Sequence, residues 1–248
     1  MKIGHILLAL IMALQLCACS NINNVQLQQE ENPVTEVTGK ESSLNLREIE
    51  KQHYSADNIS IYFPCFAAAE KNKADEINKM VKEYALTILD KYKDERQVTL
   101  DINSTVKYLS DDFLSIVFDG YSYVDDAPYP VSEFYSLNID LAEMKRVGIS
   151  DVVRIDNDLF ALIENGKFAA VNPEQKAILD DYDQQQLLAD LADADYGDKG
   201  IYSYFTKDAV GISLSTLHVL GDHAEFECNY DDISPLVEQD GFLKSLMR

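Results

Sequence analysis

Apolar positions recur along this chain with two periods. Between residues 70 and 93, Ile77, Val81, Tyr84, Ala85, Ile88, Leu89 and Tyr92 fall three and four apart with charged residues between them, which predicts an amphipathic helix. Elsewhere the period is two. Ile59, Ile61 and Phe63 alternate with Ser60 and Tyr62, and Pro64 is expected to end that strand. Val98, Leu100 and Ile102 alternate next, followed by Val106, Tyr108 and, after the Ser110-Asp111-Asp112 turn, the run Phe113–Phe118. Tyr135, Leu137, Ile139 and Leu141 repeat the pattern. Successive strands with short connections predict antiparallel pairing.

Helical spacing returns in mid-chain. Ser150 or Asp151 is placed to cap a short helix over Val152, Val153, Leu159, Phe160 and Ile163. Asn172-Pro173 opens a second one carrying Ile178, Leu179, Tyr182, Leu187, Leu188 and Leu191, with proline in the first turn. Strands resume at Ile201–Phe205, Val210–Leu214 and His223–Tyr230, and a short helix is expected after Asp231-Asp232. Strands and helices mix without β-α-β alternation. The fold class is therefore α+β: a largely antiparallel sheet with a long N-terminal helix and a mid-chain helical insertion packed on it.

The N-terminus carries a third pattern, one unbroken apolar run. Lys2 precedes Ile6–Leu14, and Gln15 and the polar Ser20–Asn24 bracket the end of the hydrophobic region. A membrane span needs roughly 20 apolar residues. A shorter run behind one basic residue and ahead of small residues reads as a secretory signal, residues 1–18. Residues 19–46, rich in Asn, Gln, Glu, Thr and Ser, read as an unpacked tether. The domain is then 47–248, and 54–145 with 146–248 is one way to divide it into lobes.

Leu16-Cys17-Ala18-Cys19 resembles the bacterial lipobox, with Cys17 a departure at a position that usually holds Ala, Ser or Thr. The resemblance implies diacylglycerol on the Cys19 thiol, cleavage before it, and an anchor made stable by two or three palmitate-like acyl chains. It places the protein on the extracytoplasmic face of a bacterial envelope without saying which membrane. An ordinary signal peptide cut after Ala18 is the alternative.

Charge narrows the partners. The chain has 21 basic and 43 acidic residues, a net charge of −22, and loss of the signal removes Lys2 and no acid, leaving −23. Nucleic acid and anionic lipid would meet like-charge repulsion at the protein surface, whereas cationic partners are attracted. With 46% hydrophobic residues, 14 Tyr and 10 Phe the chain has material for a large core. Cys65 and Cys228 remain after Cys19 is assigned, and both fall in expected strands. They form either a disulfide or two buried thiols.

Three places together resemble a family of bacterial extracytoplasmic domains found in lysozyme-sensing anti-sigma factors and ahead of a peptidoglycan deacetylase. The first is Ile59-Ser60-Ile61-Tyr62-Phe63-Pro64, with Ile77-Asn78 in the following helix. The second runs from Tyr108-Leu109-Ser110 and Leu114–Phe118 through Ala127-Pro128-Tyr129-Pro130 to Tyr135–Leu141. The third is Tyr204–Ile212 with His223–Ile233. The resemblance covers about residues 54–237 and implies recognition of a muramidase. Where the family often has a small residue, His and Pro, this chain has Pro128-Tyr129-Pro130. A lipid anchor is expected here in place of the cytoplasmic sigma-binding segment and membrane helix of an anti-sigma factor.

Candidate chemistry is sparse. Asp119–Pro130 combines Tyr121, Tyr123, Asp125, Asp126 and Tyr129 in what is expected to be an exposed loop, and these five are the candidate partner-binding residues. An ordinary hairpin covering a sheet edge is the plainer reading. Asp190, Asp193, Asp195 and Asp198 suggest calcium ligands, but the sixth position of an EF-hand loop counted from Asp193 holds Asp198, not glycine. His53, His218 and His223 have no metal-ligand spacing, and no Gly-x-Ser-x-Gly elbow is present. His223 and Cys228 are an odd number apart and face opposite sides of a strand. Glu225 and Glu227 share the face opposite Phe226 and Cys228, and are expected to point into water. No catalytic, metal or cofactor residues are assigned. The expected function is a lipid-anchored binding module for a basic protein such as lysozyme, or for peptidoglycan. A cell-wall hydrolase and a structural subunit of an envelope complex are the alternatives.

Overall fold

The computed structural model describes residues 44–95 and 97–237. The expected signal segment, Cys19 and most of the expected tether lie outside the described residues. Among the described residues, no helix is long and apolar enough to cross a membrane. The elements in order are β1 (Arg47–Ala56), β2 (Ile59–Ala67), α1 (Lys71–Ala85), α2 (Ile88–Lys91), β3 (Val98–Leu109), β4 (Phe113–Val124), β5 (Val131–Asp140), β6 (Lys145–Arg146), α3 (Asn157–Glu164), β7 (Ala169–Ala170), α4 (Gln184–Ala192), β8 (Tyr202–Phe205), β9 (Ala209–Ser215), β10 (His223–Asn229) and α5 (Tyr230–Ile233). They build a six-stranded sheet in sequence order β1 to β6 and a four-stranded sheet ordered β7-β10-β9-β8. Every pair is antiparallel except β2 with β3, which run parallel over Ile59–Ile61 because α1 and α2 carry the chain across between them. The α+β expectation holds.

The first core forms where α1 lays Ile77, Val81 and Ala85 on one face of the large sheet. That face is the apolar half of the strand alternation: Leu100 and Ile102 from β3, Leu114, Ile116 and Phe118 from β4, Tyr135, Leu137 and Ile139 from β5. Asn78 fixes the position of α1, its side chain accepting from the Phe66 amide at 2.8 Å and donating to the Phe66 carbonyl at 2.9 Å. The expected single helix over 70–93 breaks after Ala85. There the Tyr135 hydroxyl donates to the Ala85 carbonyl at 2.8 Å, and the Leu89 amide bonds to Leu86 instead.

Three further expectations change. Strand β2 continues through Pro64 to Ala67, because beyond Ile61 it has no ladder with β3 for the proline to interrupt. Strand β1, an edge strand whose first five residues are all exposed, has no apolar alternation to reveal it. Leu44 and Leu46, expected in the unpacked tether, are buried in the first core, and the Leu44 carbonyl accepts from the Ala69 amide at 3.0 Å.

The second core lies between the small sheet and the mid-chain helices. Val210, Ile212, Leu214, Ala224, Phe226 and Cys228 meet Leu159 and Ile163 of α3, Leu187 and Leu191 of α4, and Ile178 and Leu179 of a 3-10 segment over Pro173–Asp181. No bond joins Cys65 and Cys228, which lie buried in different sheets, so the disulfide alternative is not realised. Burial pushes the Cys228 thiol up to about 11.

The two sheets meet through β8. Among the described residues no strand lies beside its outer edge, yet it is buried, and side chains of the large sheet occupy its backbone groups. The Ser203 carbonyl accepts from Ser136 Oγ at 2.5 Å and Asn138 Nδ2 at 2.9 Å, and the Phe205 amide donates to Ser115 Oγ at 2.9 Å. Ser115 in turn donates to Asn138 Oδ1 at 2.7 Å. Asp195 completes the seam. Its carboxylate accepts from the Ser203 amide (2.7 Å), the Ser203 hydroxyl (2.7 Å) and the Ile149 amide (3.0 Å), and its carbonyl accepts from Arg146 at 2.6 Å. Beside this polar seam Tyr204, Val117 and Phe134 form a small apolar wedge. Gly211 lies over the Tyr204 ring, so close that a Cβ there would stand 2.2 Å from Cζ.

Two stability results follow from the seam. Gly211→Ala forces a methyl group into a fully buried ring and is expected to cost about 1–3 kcal/mol, read as a lowered thermal midpoint. Burial raises the Asp195 carboxyl from 3.8 to about 6, against the lowering effect of its donors. The native chain thus holds this proton more tightly than the unfolded chain. The contribution is complete below the unfolded value and is lost as pH rises through about 6. Between pH 4 and pH 7 the stability of the wild type should fall relative to Asp195→Asn by roughly 2–3 kcal/mol in urea unfolding. A difference constant across that range would show that the carboxyl does not titrate there.

Candidate functional site

The five candidate residues lie on the β4–β5 hairpin. Asp119–Val124 is ladder rather than loop: Tyr121 pairs with Asp101 of β3 and Ser132 of β5. The turn is confined to 125–130, where the Asp125 amide bonds to the Gln97 carbonyl and Asp126 takes the left-handed conformation (φ 67°) that Asp tolerates. Tyr121, Asp125, Asp126 and Tyr129 are exposed, and Tyr123 is half-buried. Asp125 and Asp126 share a groove of about 530 Å³ with Asp94 and Glu95, so this end of the sheet is strongly acidic.

The hairpin tip is held by the loop between β9 and β10. Tyr129 stacks on His218 with ring centroids 3.7 Å apart and planes within 3°. His218 Nδ1 lies 3.0 Å from Asp222 Oδ1, and Asp222 Oδ2 accepts from the Ser132 amide at 2.8 Å. From the other side, Gln175 Nε2 donates to the Leu220 and His223 carbonyls, both at 2.8 Å. Gly221 closes the loop at φ 104°, a conformation that favours glycine.

A loop held at this many points nevertheless turns its apolar side chains outward. Leu217 is 72% exposed, Val219 84% and Leu220 46%, beside Tyr129 at 45%. Scattered single apolar residues on a surface are ordinary, but four on one fixed feature are not. Leu217 and Leu220 also line a groove of about 590 Å³ with Ile178, Tyr182, Asp183 and Gln186. Sequence reasoning missed this loop. The signal was Leu217-His218-Val219-Leu220, an apolar cluster between two strands and just ahead of the Gly221-Asp222 turn.

Other sequence candidates are engaged elsewhere. Asp190 is bonded to Lys199 Nζ (2.5 Å) and Gln186 Nε2 (2.7 Å), and Asp195 belongs to the seam. Among the described residues no three His, Cys, Asp or Glu side chains converge for a metal. His223 and Cys228 face opposite sides of β10, with Cys228 in the second core. Glu225 and Glu227 do share a face, but it is turned toward the large sheet and not into open water: Tyr204 donates to Glu227 at 3.0 Å, and Glu225 lines the space between the sheets. Glu133, on the helix-covered face of β5, is buried and held by both Lys91 Nζ contacts (2.8 Å each), by the Ser122 hydroxyl (2.7 Å) and by the Tyr92 hydroxyl.

No family model matches the chain. No curated protein matches it either. Among solved structures it is similar to a DUF3298 family member from Bacteroides fragilis, at 14% identity over 82% of this chain and 97% of that one, with a TM-score of 0.49. It is also similar to a DUF3298 family protein from Pseudomonas aeruginosa, at 10% identity over 79% and 95%, with a TM-score of 0.47.

The clamp makes a local prediction. Asp222→Ala removes the acceptor of the Ser132 amide and the partner of His218. Hydrogen exchange at Ser132 should accelerate at least tenfold while amides in α1 keep their protection, since the loop opens without the core.

Proposed function

We propose that this chain is a non-catalytic binding module of the bacterial envelope, anchored through acyl chains on Cys19, that docks a basic protein, with lysozyme the concrete candidate. The observation that carries the reading is the fixed surface formed by Tyr129, Leu217, Val219 and Leu220. An aromatic ring and three aliphatic side chains are exposed on loops tied together by a ring stack and by Asp222. Exposing them costs solvation, and holding them rigid lowers the entropy lost when a partner covers them. Asp125 and Asp126 with Asp94 and Glu95 supply a rim of negative charge, which speeds encounter with a cationic surface. The net charge of −23 after signal removal acts in the same direction at longer range.

The test is calorimetry with hen-type lysozyme at low and high salt, using the chain without residues 1–18 and with Cys19→Ser. Saturable one-to-one binding weakened by salt is expected. Tyr129→Ala and Leu217→Ser should each reduce affinity tenfold or more, as central interface residues do. Absence of heat at both salt concentrations sets aside the lysozyme reading.

A further inference from the structure

At one end of the large sheet the first core runs out and its last apolar side chains are only half-buried. These are Tyr54 at the close of β1, Ile59 at the start of β2, Leu89 of α2, Tyr92 just beyond it, and Val98 at the start of β3. Together they line a pocket of about 490 Å³. A concave apolar lining with a few polar groups around it is the ordinary form of a binding site.

The walls are fixed in advance. Asp57 turns the β1–β2 hairpin in the left-handed conformation (φ 49°), and the Asn58 carbonyl accepts from the Leu100 amide at 3.1 Å. The Glu95 amide donates to the Tyr92 carbonyl at 3.1 Å, and the Gln97 carbonyl accepts from the Asp125 amide at 3.2 Å. The Tyr92 hydroxyl is held by Ser122 at 2.7 Å and by Glu133, so it offers the pocket only its ring, and Lys91 Nζ already lies 5.2 Å from that ring's centroid. Tyr54 is different. Among the described residues no ring stacks on it and no cation lies over it. A wall already in place lowers the ordering entropy that a ligand must overcome.

Charge selects the occupant. Asp57 and Glu95 stand on the rim with one lysine, Lys93. Glu95 and Gln97 also line the acidic groove, which extends the rim through Asp94, Asp125 and Asp126 with no lysine or arginine among its described lining residues. An anion is repelled here, and an uncharged apolar molecule would take water from the carboxylates and return no hydrogen bond. The 125–130 turn carries this rim at one end and Tyr129 at the other, no more than about 15 Å of chain apart, so one protein partner reaches both. We propose that the pocket receives an arginine side chain of the basic protein that docks on the Tyr129–Leu217 surface, which rests on that docking reading for its partner. The guanidinium lies flat on the Tyr54 ring and turns its edge to Glu95 or Asp57, while the methylene stem covers Ile59, Leu89 and Val98. A lysine ammonium is more strongly hydrated and does not stack, so it gains less from the same walls.

The experiment is an NMR titration of the same Cys19→Ser chain with Nα-acetyl-arginine amide, with the citrulline and lysine counterparts as neutral and ammonium matches. Saturable shifts at the amides of Ile59, Leu89 and Val98 are expected with arginine, weaker ones with lysine and none with citrulline. Tyr54→Leu keeps the apolar bulk and removes the aromatic face, and should weaken arginine binding about threefold to tenfold. Glu95→Gln should weaken it about threefold, as loss of one exposed ion pair does. Lys93→Gln should strengthen it about twofold by removing a competing charge, a gain that loss of folding cannot mimic. Lysozyme affinity should follow Tyr54→Leu in the same direction. Arginine binding without lysozyme binding upholds the pocket and overturns the partner. Lysozyme binding that ignores Tyr54→Leu, with no response to arginine, overturns the pocket and leaves the partner. Unsaturable shifts, shifts centred on Asp125 and Asp126 alone, or a response to lysine or citrulline equal to that of arginine would also overturn the pocket.

Discussion

The architecture depends on how the outer edge of β8 is satisfied. An edge strand presents unpaired amides and carbonyls, and burying such an edge without partners costs several hydrogen bonds' worth of desolvation. In this chain the edge is laid across the face of β4 and β5, and Ser115, Ser136 and Asn138 take the place of a neighbouring strand. Because these side chains match only β8 in this position, they fix where the small sheet sits as well as holding it. A purely apolar contact between the sheets would be free to slide; hydrogen bonds to Ser203 and Phe205 are not.

Asp195 extends that logic to the helical layer. It stands in the left-handed conformation (φ 70°) on the segment that follows α4, and its carboxylate joins the amide of Ser203 to the amide of Ile149. Arg146, held over the rings of Tyr84 and Tyr196, bonds to its carbonyl. The segment around Arg146 and Ile149, more than 40 residues away in sequence, is thus tied to β8 through one residue. A buried carboxylate is expensive, and the three hydrogen bonds it accepts offset part of that cost while making the arrangement specific.

The legible parts of this fold were those where one face of an element is apolar and the other is wet. Ile77, Val81 and Ala85 announced α1, and Leu100, Ile102, Leu137 and Ile139 announced the sheet under it. The same alternation concealed the second layer. Ser115, Ser136, Asn138, Glu225 and Glu227 occupy the polar half of their strands, which reads as solvent face, yet it is the half on which the two sheets meet. Period two says which residues share a face and is silent about what covers the second face. Strand β1 was hidden for a related reason: an edge strand exposed along most of its length has no burial pattern to leave in the sequence. Of the candidate site, Asp125, Asp126 and Tyr129 were legible as turn and surface chemistry, whereas Tyr121 and Tyr123, expected in the loop, belong to the β4 ladder. Leu217, Val219 and Leu220 were not, because an apolar cluster between strands reads as core until the loop is seen to face outward.

The contrast between the seam and the groove beside it bears on why polar residues persist between the sheets. At the seam each polar side chain has a bonded partner, and its place is explained by folding alone. Beyond it, Thr105, Asp119 and Ser132 line a groove of about 450 Å³ between the sheets and are exposed, so water partners them and their place also agrees with folding. His223 Nδ1 and Ser213 Oγ are buried without a hydrogen-bond partner among the described residues, and folding alone does not account for them.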